Sequence, residues 1–200
     1  MTVDGAMTDQ DLVDAIQHQR ATVVHFSHHA ATRPDTVFPT DLINSIGNGG
    51  VWTLSCHVLW PDHRMDLVGS VGLILDIIAS SQVVSVRSCD SGSWPLPDGS
   101  DQSLGVALSK RSFRDTFSIT GAYNEWRVKG ACVKGIFVAN PDHIYVRKKK
   151  VVTGGPYQQE IVGPEPILLD DIQTIFPNHN IYTMGLDGLQ LLRPKNGSPA

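Results

Sequence analysis

The chain has 200 residues, of which 41% are hydrophobic and 18% are charged, and its formal net charge is -4. This composition excludes global disorder, and the acidic balance argues against nucleic-acid binding through broad phosphate neutralisation. The cysteines form no CxxC pair, no apolar run approaches the roughly 18 residues of a membrane span, and no signal-peptide pattern is visible. We expect one soluble, cytoplasmic domain over residues 1–200, without a membrane partner and with a disordered tail at 193–200.

The first half of the chain predicts two helices and several strands. Thr8 can cap a helix whose apolar stripe runs to Ile16, and the β-branched run 21–26 predicts a strand. A short helix is expected over 42–46, closed by Gly47 from the position after its end. Apolar runs then predict buried strands at 51–60, 71–78 and 83–86.

The second half begins with a long Ser/Gly/Pro-rich loop, 89–103. Ser109 can cap a helix that continues to Phe117. Three strands follow with short turns between them. The basic run 147–150 is expected to be a solvated hairpin end; the alternative is that it steers a nucleic acid towards the site. A last helix is predicted over 168–176. The three strands are predicted at 123–128, 133–139 and 144–146. The predicted fold class is α+β, with strand-rich twisted sheets and a few short helices.

Polar side chains stand at the end of the first predicted strand. His25 and Ser27 would share one face of an extended strand, and His28 would point the other way unless the chain has already turned. These residues can contribute hydrogen bonds to a ligand. The alternative is that His25 is a satisfied core histidine and that the other two begin a loop.

A second cluster lies in the segment YNEWRV, residues 123–128. Alternation places Tyr123, Glu125 and Arg127 on one face of the strand. A carboxylate beside Trp126 is costly to bury unless partners are supplied, so a buried Glu125 would indicate a functional site. The alternative is a solvated strand face on which Glu125 and Arg127 are exposed.

The stretch H-F-S-H, residues 25–28, resembles the H-x-T-H opening of DarT-like DNA ADP-ribosyltransferases and, more loosely, the first strand of the diphtheria-toxin-like superfamily. The stretch E-W-R-V-K-G-A-C-V-K-G-I, residues 125–136, is similar to the late strand that carries the catalytic Glu in many ADP-ribosyltransferases. The Asn that follows the first His motif in that family has no clear counterpart here. The family's Ser-Thr-Ser motif has no match either, and the nearest strand-borne hydroxyls are Thr53 and Ser55.

The resemblance implies an ADP-ribosyltransferase-like fold and a mono-ADP-ribosyltransferase, a glycosyltransferase that uses NAD. Glu125 would be its catalytic residue, stabilising the positive charge that develops on the ribose. The NAD-binding residues would be His25, Ser27, His28, Tyr123 and either Arg64 or Arg87, with an arginine on the pyrophosphate. This interpretation requires that His25 and Glu125 line one pocket. The acceptor would be DNA, RNA or protein, and a toxin or defence effector of this kind would have a cognate antitoxin.

Two other classes of function stay open. A cysteine-dependent hydrolase or transferase would use Cys56 or Cys89 with a histidine as base, although free cysteines are most commonly small buried hydrophobes. A non-catalytic binding module, such as an immunity or adaptor protein, would use the loop 91–103 as its contact surface. No HExxH or CxxC motif indicates a metal site.

Overall fold

The computed structural model describes residues 5–27, 37–48, 51–63, 67–88, 105–118, 124–151 and 159–197. The described residues form four α-helices and ten strands. The helices are α1 (Asp9–His18), α2 (Thr40–Gly47), α3 (Lys110–Thr116) and α4 (Leu169–Ile175). The strands are β1 (Thr22–Phe26), β2 (Leu54–Leu59), β3 (Val71–Asp76), β4 (Val83–Arg87), β5 (Glu125–Val128), β6 (Cys132–Val138), β7 (Tyr145–Val151), β8 (Gln159–Pro166), β9 (Ile181–Gly185) and β10 (Gly188–Arg193).

Eight strands form one mixed sheet in the order β10-β9-β6-β3-β1-β2-β5-β4. Neighbouring strands are antiparallel except β6 and β9, which run parallel. Strand β1, the earliest in the chain, therefore lies near the middle of the sheet, and β2 separates it from β5. This order decides which face each predicted functional residue occupies.

One face of the sheet is covered by helices. Its core joins Leu12 of α1, Leu42 of α2, Phe113 of α3 and Ile172 of α4 to inward-facing strand residues such as Leu73. This face is formed by apolar side chains at alternate strand positions, the period that a half-buried strand requires. We call it the helix-covered face.

The opposite face of the sheet has a smaller apolar core. Val24, Phe26, Leu59, Ile74 and Phe137 form its buried cluster, and no helix among the described residues contributes to it. These apolar side chains come from β1, β2, β3 and β6. Towards the β4 edge of the same face the strand positions become polar. We call this the second face.

Local sequence signals explain the best-predicted helices. The Thr8 hydroxyl accepts a hydrogen bond from the Asp11 N–H at 3.1 Å, and Asp11 bonds back to the Thr8 N–H, so α1 has the predicted cap. Ser109 caps α3 in the same manner. Each such cap stabilises its helix by about 1 kcal/mol. Gly47 is the last residue of α2 and not the residue beyond it, because Asn48 occupies the C-cap.

Strands β7 and β8 form a separate antiparallel ribbon. The predicted hairpin end at 147–150 is part of β7, so that strand is longer than expected. Strands β8, β9 and β10 were not predicted from the sequence. The predicted loop 89–103 lies outside the described residues. In the predicted tail, the N–H groups of Lys195 and Asn196 donate to Asn180 and Pro177. The α+β class is confirmed.

Candidate functional site

Glu125 is the first residue of β5 and lies on the second face. The register pairs Cys56 with Trp126 and Arg87 with Glu125, so alternation puts Trp126 on the helix-covered face and Glu125 opposite it. Trp126 is fully buried, and its Nε1–H donates to the Thr116 hydroxyl of α3 at 3.1 Å. The indole therefore fixes β5 against α3, and this orientation directs the Glu125 side chain to the second face.

The Glu125 carboxylate is held by a hydroxyl and two guanidinium groups. Ser55 of β2 donates its hydroxyl hydrogen bond to Oε1 at 2.7 Å. Arg87 of β4 donates from Nη1 to Oε2 at 3.3 Å, and Nη1 of Arg127 lies 3.8 Å from Oε1. Three different strands therefore position this one carboxylate. We call Glu125, Ser55 and Arg87 the Glu125 network.

The two arginine contacts to Glu125 differ in how deeply they are buried. The side chains of Glu125 and Arg87 are only 6% and 7% exposed, whereas that of Arg127 is 47% exposed. A buried pair of opposite charges loses its water and is maintained only when both partners are present, while an exposed pair contributes little. The alternative of a solvated strand face is therefore wrong for Glu125 but holds for Arg127.

The side chain of Asn124, directly before β5, binds the backbone of β2 in place of a backbone pair. The Asn124 amide donates to the Val58 carbonyl at 2.9 Å, and its oxygen accepts from the Val58 N–H at 2.7 Å. His57 donates from Nδ1 to the Asn124 carbonyl at 2.6 Å. Both side chains are buried. They fix the backbone immediately before Glu125, which limits the movement of its carboxylate.

A cleft of about 240 Å³ lies between the β4 edge of the sheet and α3. Its lining includes Val86, Arg87, Ser112 and Asp115 but not Glu125. Val106 pairs with Val86 through two backbone hydrogen bonds and extends that edge. Gly105 precedes it with φ +66°, and a Cβ there would lie 3.0 Å from the Ser85 hydroxyl and 3.2 Å from Arg87 Cγ. A glycine at 105 thus permits the chain to pass closely over Arg87. The Nε of Arg87 is buried and has no hydrogen-bond partner among the residues that the structure describes.

His25 lies on the helix-covered face, opposite to Glu125. It pairs with Leu73 in the register and follows Val24, which shares the second face with His57 and Glu125. The His25 Nδ1 donates to the Ser55 carbonyl at 2.8 Å, and its Nε2 lies 3.3 Å from the Ser45 hydroxyl of α2. The expectation that His25 and Glu125 face one pocket is corrected, because Ser55 connects them through the sheet instead.

Of the other predicted NAD-binding residues, two lie in the described part of the chain and three do not. Ser27 is buried, and its N–H continues the β1 ladder by donating to the Val71 carbonyl at 2.9 Å. Arg87, expected as one of two candidates for the pyrophosphate, contacts Glu125 directly. His28, Arg64 and Tyr123 lie outside the described residues.

The structure argues against Cys56 as a nucleophile. The side chain is fully buried among apolar residues of the helix-covered face. Burial, and secondarily the negative charge of Glu125, raises the pKa of the Cys56 thiol far above its ordinary value. Since the thiolate is the reactive form, this environment suppresses reactivity. Cys89, the other candidate, lies outside the described residues.

Two residues of the site were underestimated from the sequence. In the sequence, Ser55 is only one of the two nearest strand-borne hydroxyls in a chain without a match for the Ser-Thr-Ser motif, and Asn124 is only a neighbour of Glu125. An Asn at the start of a predicted strand is a usable signal, since its amide must satisfy its hydrogen bonds when the strand start is buried. No comparable signal in the sequence identifies the partner of Ser55.

Comparison with known proteins found no matching family model, no matching curated protein and no matching solved structure. The Glu125 network therefore has to be interpreted from its own geometry. Among the described residues, no helix is long and apolar enough to span a membrane.

Proposed function

We propose that this chain is a mono-ADP-ribosyltransferase that transfers ADP-ribose from NAD to a nucleic-acid or protein acceptor. One observation carries the proposal: the buried Glu125 carboxylate is held by Ser55 at 2.7 Å and by Arg87 at 3.3 Å on the second face. A structural strand has no need of a buried carboxylate, because desolvation makes it costly. Such groups are concentrated at functional sites.

The reaction needs a fixed negative charge close to the ribose. The bond between the ribose C1′ and the nicotinamide nitrogen breaks, and its electron pair leaves with nicotinamide, so positive charge develops on the ribose ring. A carboxylate that is already oriented stabilises that charge without reorganising. The acceptor then forms the new bond to C1′, and its proton passes to a base, a role that Glu125 can also fill.

The remaining members of the network act on Glu125 in this proposal. Ser55 and Arg87 hold its two oxygens in position, and His25 supports Ser55 from the other face of the sheet. The resemblance required His25 and Glu125 in one pocket, and they lie on opposite faces of the sheet. The proposal therefore rests on Glu125 without that requirement, and His25 is a positioning residue and not a contact to nicotinamide. Arg87 combines its ion pair to Glu125 with a place on the wall of the adjacent cleft.

The test measures nicotinamide release from NAD by the wild type, by Glu125→Gln and by Glu165→Gln. Glu125→Gln preserves the side-chain shape but removes the charge, and we expect a loss of about 100-fold or more, the size seen for removal of one preorganised electrostatic group. Glu165 of β8 is the matched control and should retain full turnover. Equal turnover in all three proteins would remove Glu125 from catalysis. If the wild type released no nicotinamide, the transferase proposal itself would fail.

A further inference from the structure

A row of charged side chains follows β5 along the second face. Alternation gives this face to Glu125, Arg127 and Lys129. The Lys129 N–H continues the strand pairing beyond β5, because it donates to the carbonyl of Gln82, the residue before β4, at 2.8 Å. Successive members of the row are two residues apart, so about 6.6 Å separates their positions along the strand. The row thus begins with an acid and continues with two cations.

The members of the row become more exposed in the same direction. The Glu125 side chain is 6% exposed and that of Arg127 is 47% exposed. Lys129 is also exposed. The carboxylate therefore lies within the surface of the sheet, whereas the two cations extend into solvent beside it. We call Arg127 and Lys129 the β5 cations.

The charge of the β5 cations is available to a ligand. Among the described residues, the one ion pair of Arg127 joins its Nη1 to Oε1 of Glu125 at 3.8 Å, and Lys129 forms none. A separation of 3.8 Å is longer than a hydrogen bond. Arg87 differs in both respects, since its side chain is only 7% exposed and donates to the carboxylate. Of the two arginines that contact Glu125, Arg127 is therefore the one that can bind another anion.

We propose that the β5 cations bind the pyrophosphate of NAD while the nicotinamide ribose lies at Glu125. The inference rests on the proposed transfer reaction and assigns the anionic group of its substrate. It also gives Arg127 the role that the sequence suggested for Arg64 or Arg87. In NAD, the pyrophosphate is attached to the nicotinamide ribose through the 5′ carbon, so it lies one chemical group away from the ribose ring.

The spacing and the chemistry of the row fit this substrate. A step of about 6.6 Å along the strand separates a group at Glu125 from its neighbour at Arg127, as the step from ribose to phosphate requires. A guanidinium presents parallel N–H groups that match two phosphate oxygens, and an ammonium adds a point charge. Lys129, one step further, extends the positive charge away from the carboxylate.

The first measurement is calorimetric titration with inorganic pyrophosphate, which needs no turnover. Arg127→Gln should bind pyrophosphate about tenfold more weakly than the wild type, which corresponds to about 1.4 kcal/mol. Arg127→Lys keeps the charge without the planar fork, so its affinity should be intermediate. The matched control is Arg111→Gln, which removes the same charge from an exposed side chain of α3 and should bind as the wild type does. Unchanged thermal unfolding midpoints would show that these surface variants are folded.

The second measurement is the kinetics of nicotinamide release. The pyrophosphate is not altered in the reaction, so its contacts are equally strong in the ground state and the transition state. Arg127→Gln should therefore raise KM for NAD about tenfold and leave kcat within about twofold of the wild type. Lys129→Gln should raise KM by a smaller factor, and Arg111→Gln should keep the wild-type KM.

Several results would overturn the proposal. They are no pyrophosphate binding by the wild type, equal affinities of Arg127→Gln and Arg111→Gln, or a fall in kcat of Arg127→Gln at unchanged KM. If Arg127→Gln weakened the binding of a single-stranded oligonucleotide but not of pyrophosphate, the β5 cations would belong to the acceptor instead. If the wild type released no nicotinamide but lost pyrophosphate binding on Arg127→Gln, the transfer reaction would fail while the anion site would be supported.

Discussion

The buried ion pair between Arg87 and Glu125 predicts a large loss of stability when one partner is removed. In Arg87→Met the carboxylate would remain buried without its strongest charged partner. Breaking such a pair costs about 3–5 kcal/mol. Because Ser55 still donates at 2.7 Å and Arg127 still lies at 3.8 Å, we expect a value near the lower end, about 3 kcal/mol. Urea unfolding at neutral pH measures it from the midpoint, with an unchanged slope.

The chain offers a control with the same geometry and the opposite environment. Arg20 and Asp187 also lie 3.3 Å apart, but their side chains are 55% and 101% exposed, so Asp187→Asn should not move the midpoint measurably. The double variant Arg87→Met/Glu125→Gln should recover much of the loss, because no buried charge is then left unpaired. If Arg87→Met unfolded at the same urea concentration as Asp187→Asn, the burial argument for the Glu125 network would be refuted.

Three further predictions concern individual side chains. Ser55→Ala should slow nicotinamide release about tenfold or more, since hydrogen bonds to charged groups contribute about 1.5–3 kcal/mol. The matched variant Ser85→Ala, also on the second face, should keep the wild-type rate. Equal rates for the two variants would exclude a positioning role for Ser55. Iodoacetamide should modify the exposed Cys132 of the native protein but reach Cys56 only in urea, as peptide mass analysis can check; native labelling of Cys56 would contradict its burial. Burial lowers the pKa of His179 below 6.5, so the folded protein binds fewer protons than the unfolded chain and loses stability as pH falls below about 6.5. This loss of stability at low pH should be weaker in His179→Gln. Identical pH profiles of the thermal unfolding midpoint for the variant and the wild type would contradict the prediction.

Much of the fold could be predicted because local patterns agree with it. The caps Thr8 and Ser109 identify α1 and α3, and apolar runs identify β1 to β4 and β6. Strand β5 was predicted from the segment YNEWRV, in which polar and apolar positions alternate. Strand β8 contains Gly163 and two prolines, which are unfavourable in strands, and pairing with β7 overrides that preference. Four successive charges concealed the length of β7 for the same reason, because Lys has low strand propensity.

The site was predictable only in part. The cost of burying a carboxylate singled out Glu125 from the sequence, and the structure places that side chain in a buried network. The partners Ser55 and Arg87 depend on strand order and register, which are set by contacts between segments distant in the chain. The same limitation explains His25: alternation gave its neighbours within β1, but its face relative to β5 follows from the intervening β2.

The most direct test of the central claim is a crystal structure with a non-hydrolysable NAD analogue. The account predicts that the nicotinamide ribose lies on the second face, with its 2′-hydroxyl about 3 Å from a carboxylate oxygen of Glu125. An analogue bound beside His25 on the helix-covered face, or bound away from Glu125 altogether, would contradict the account.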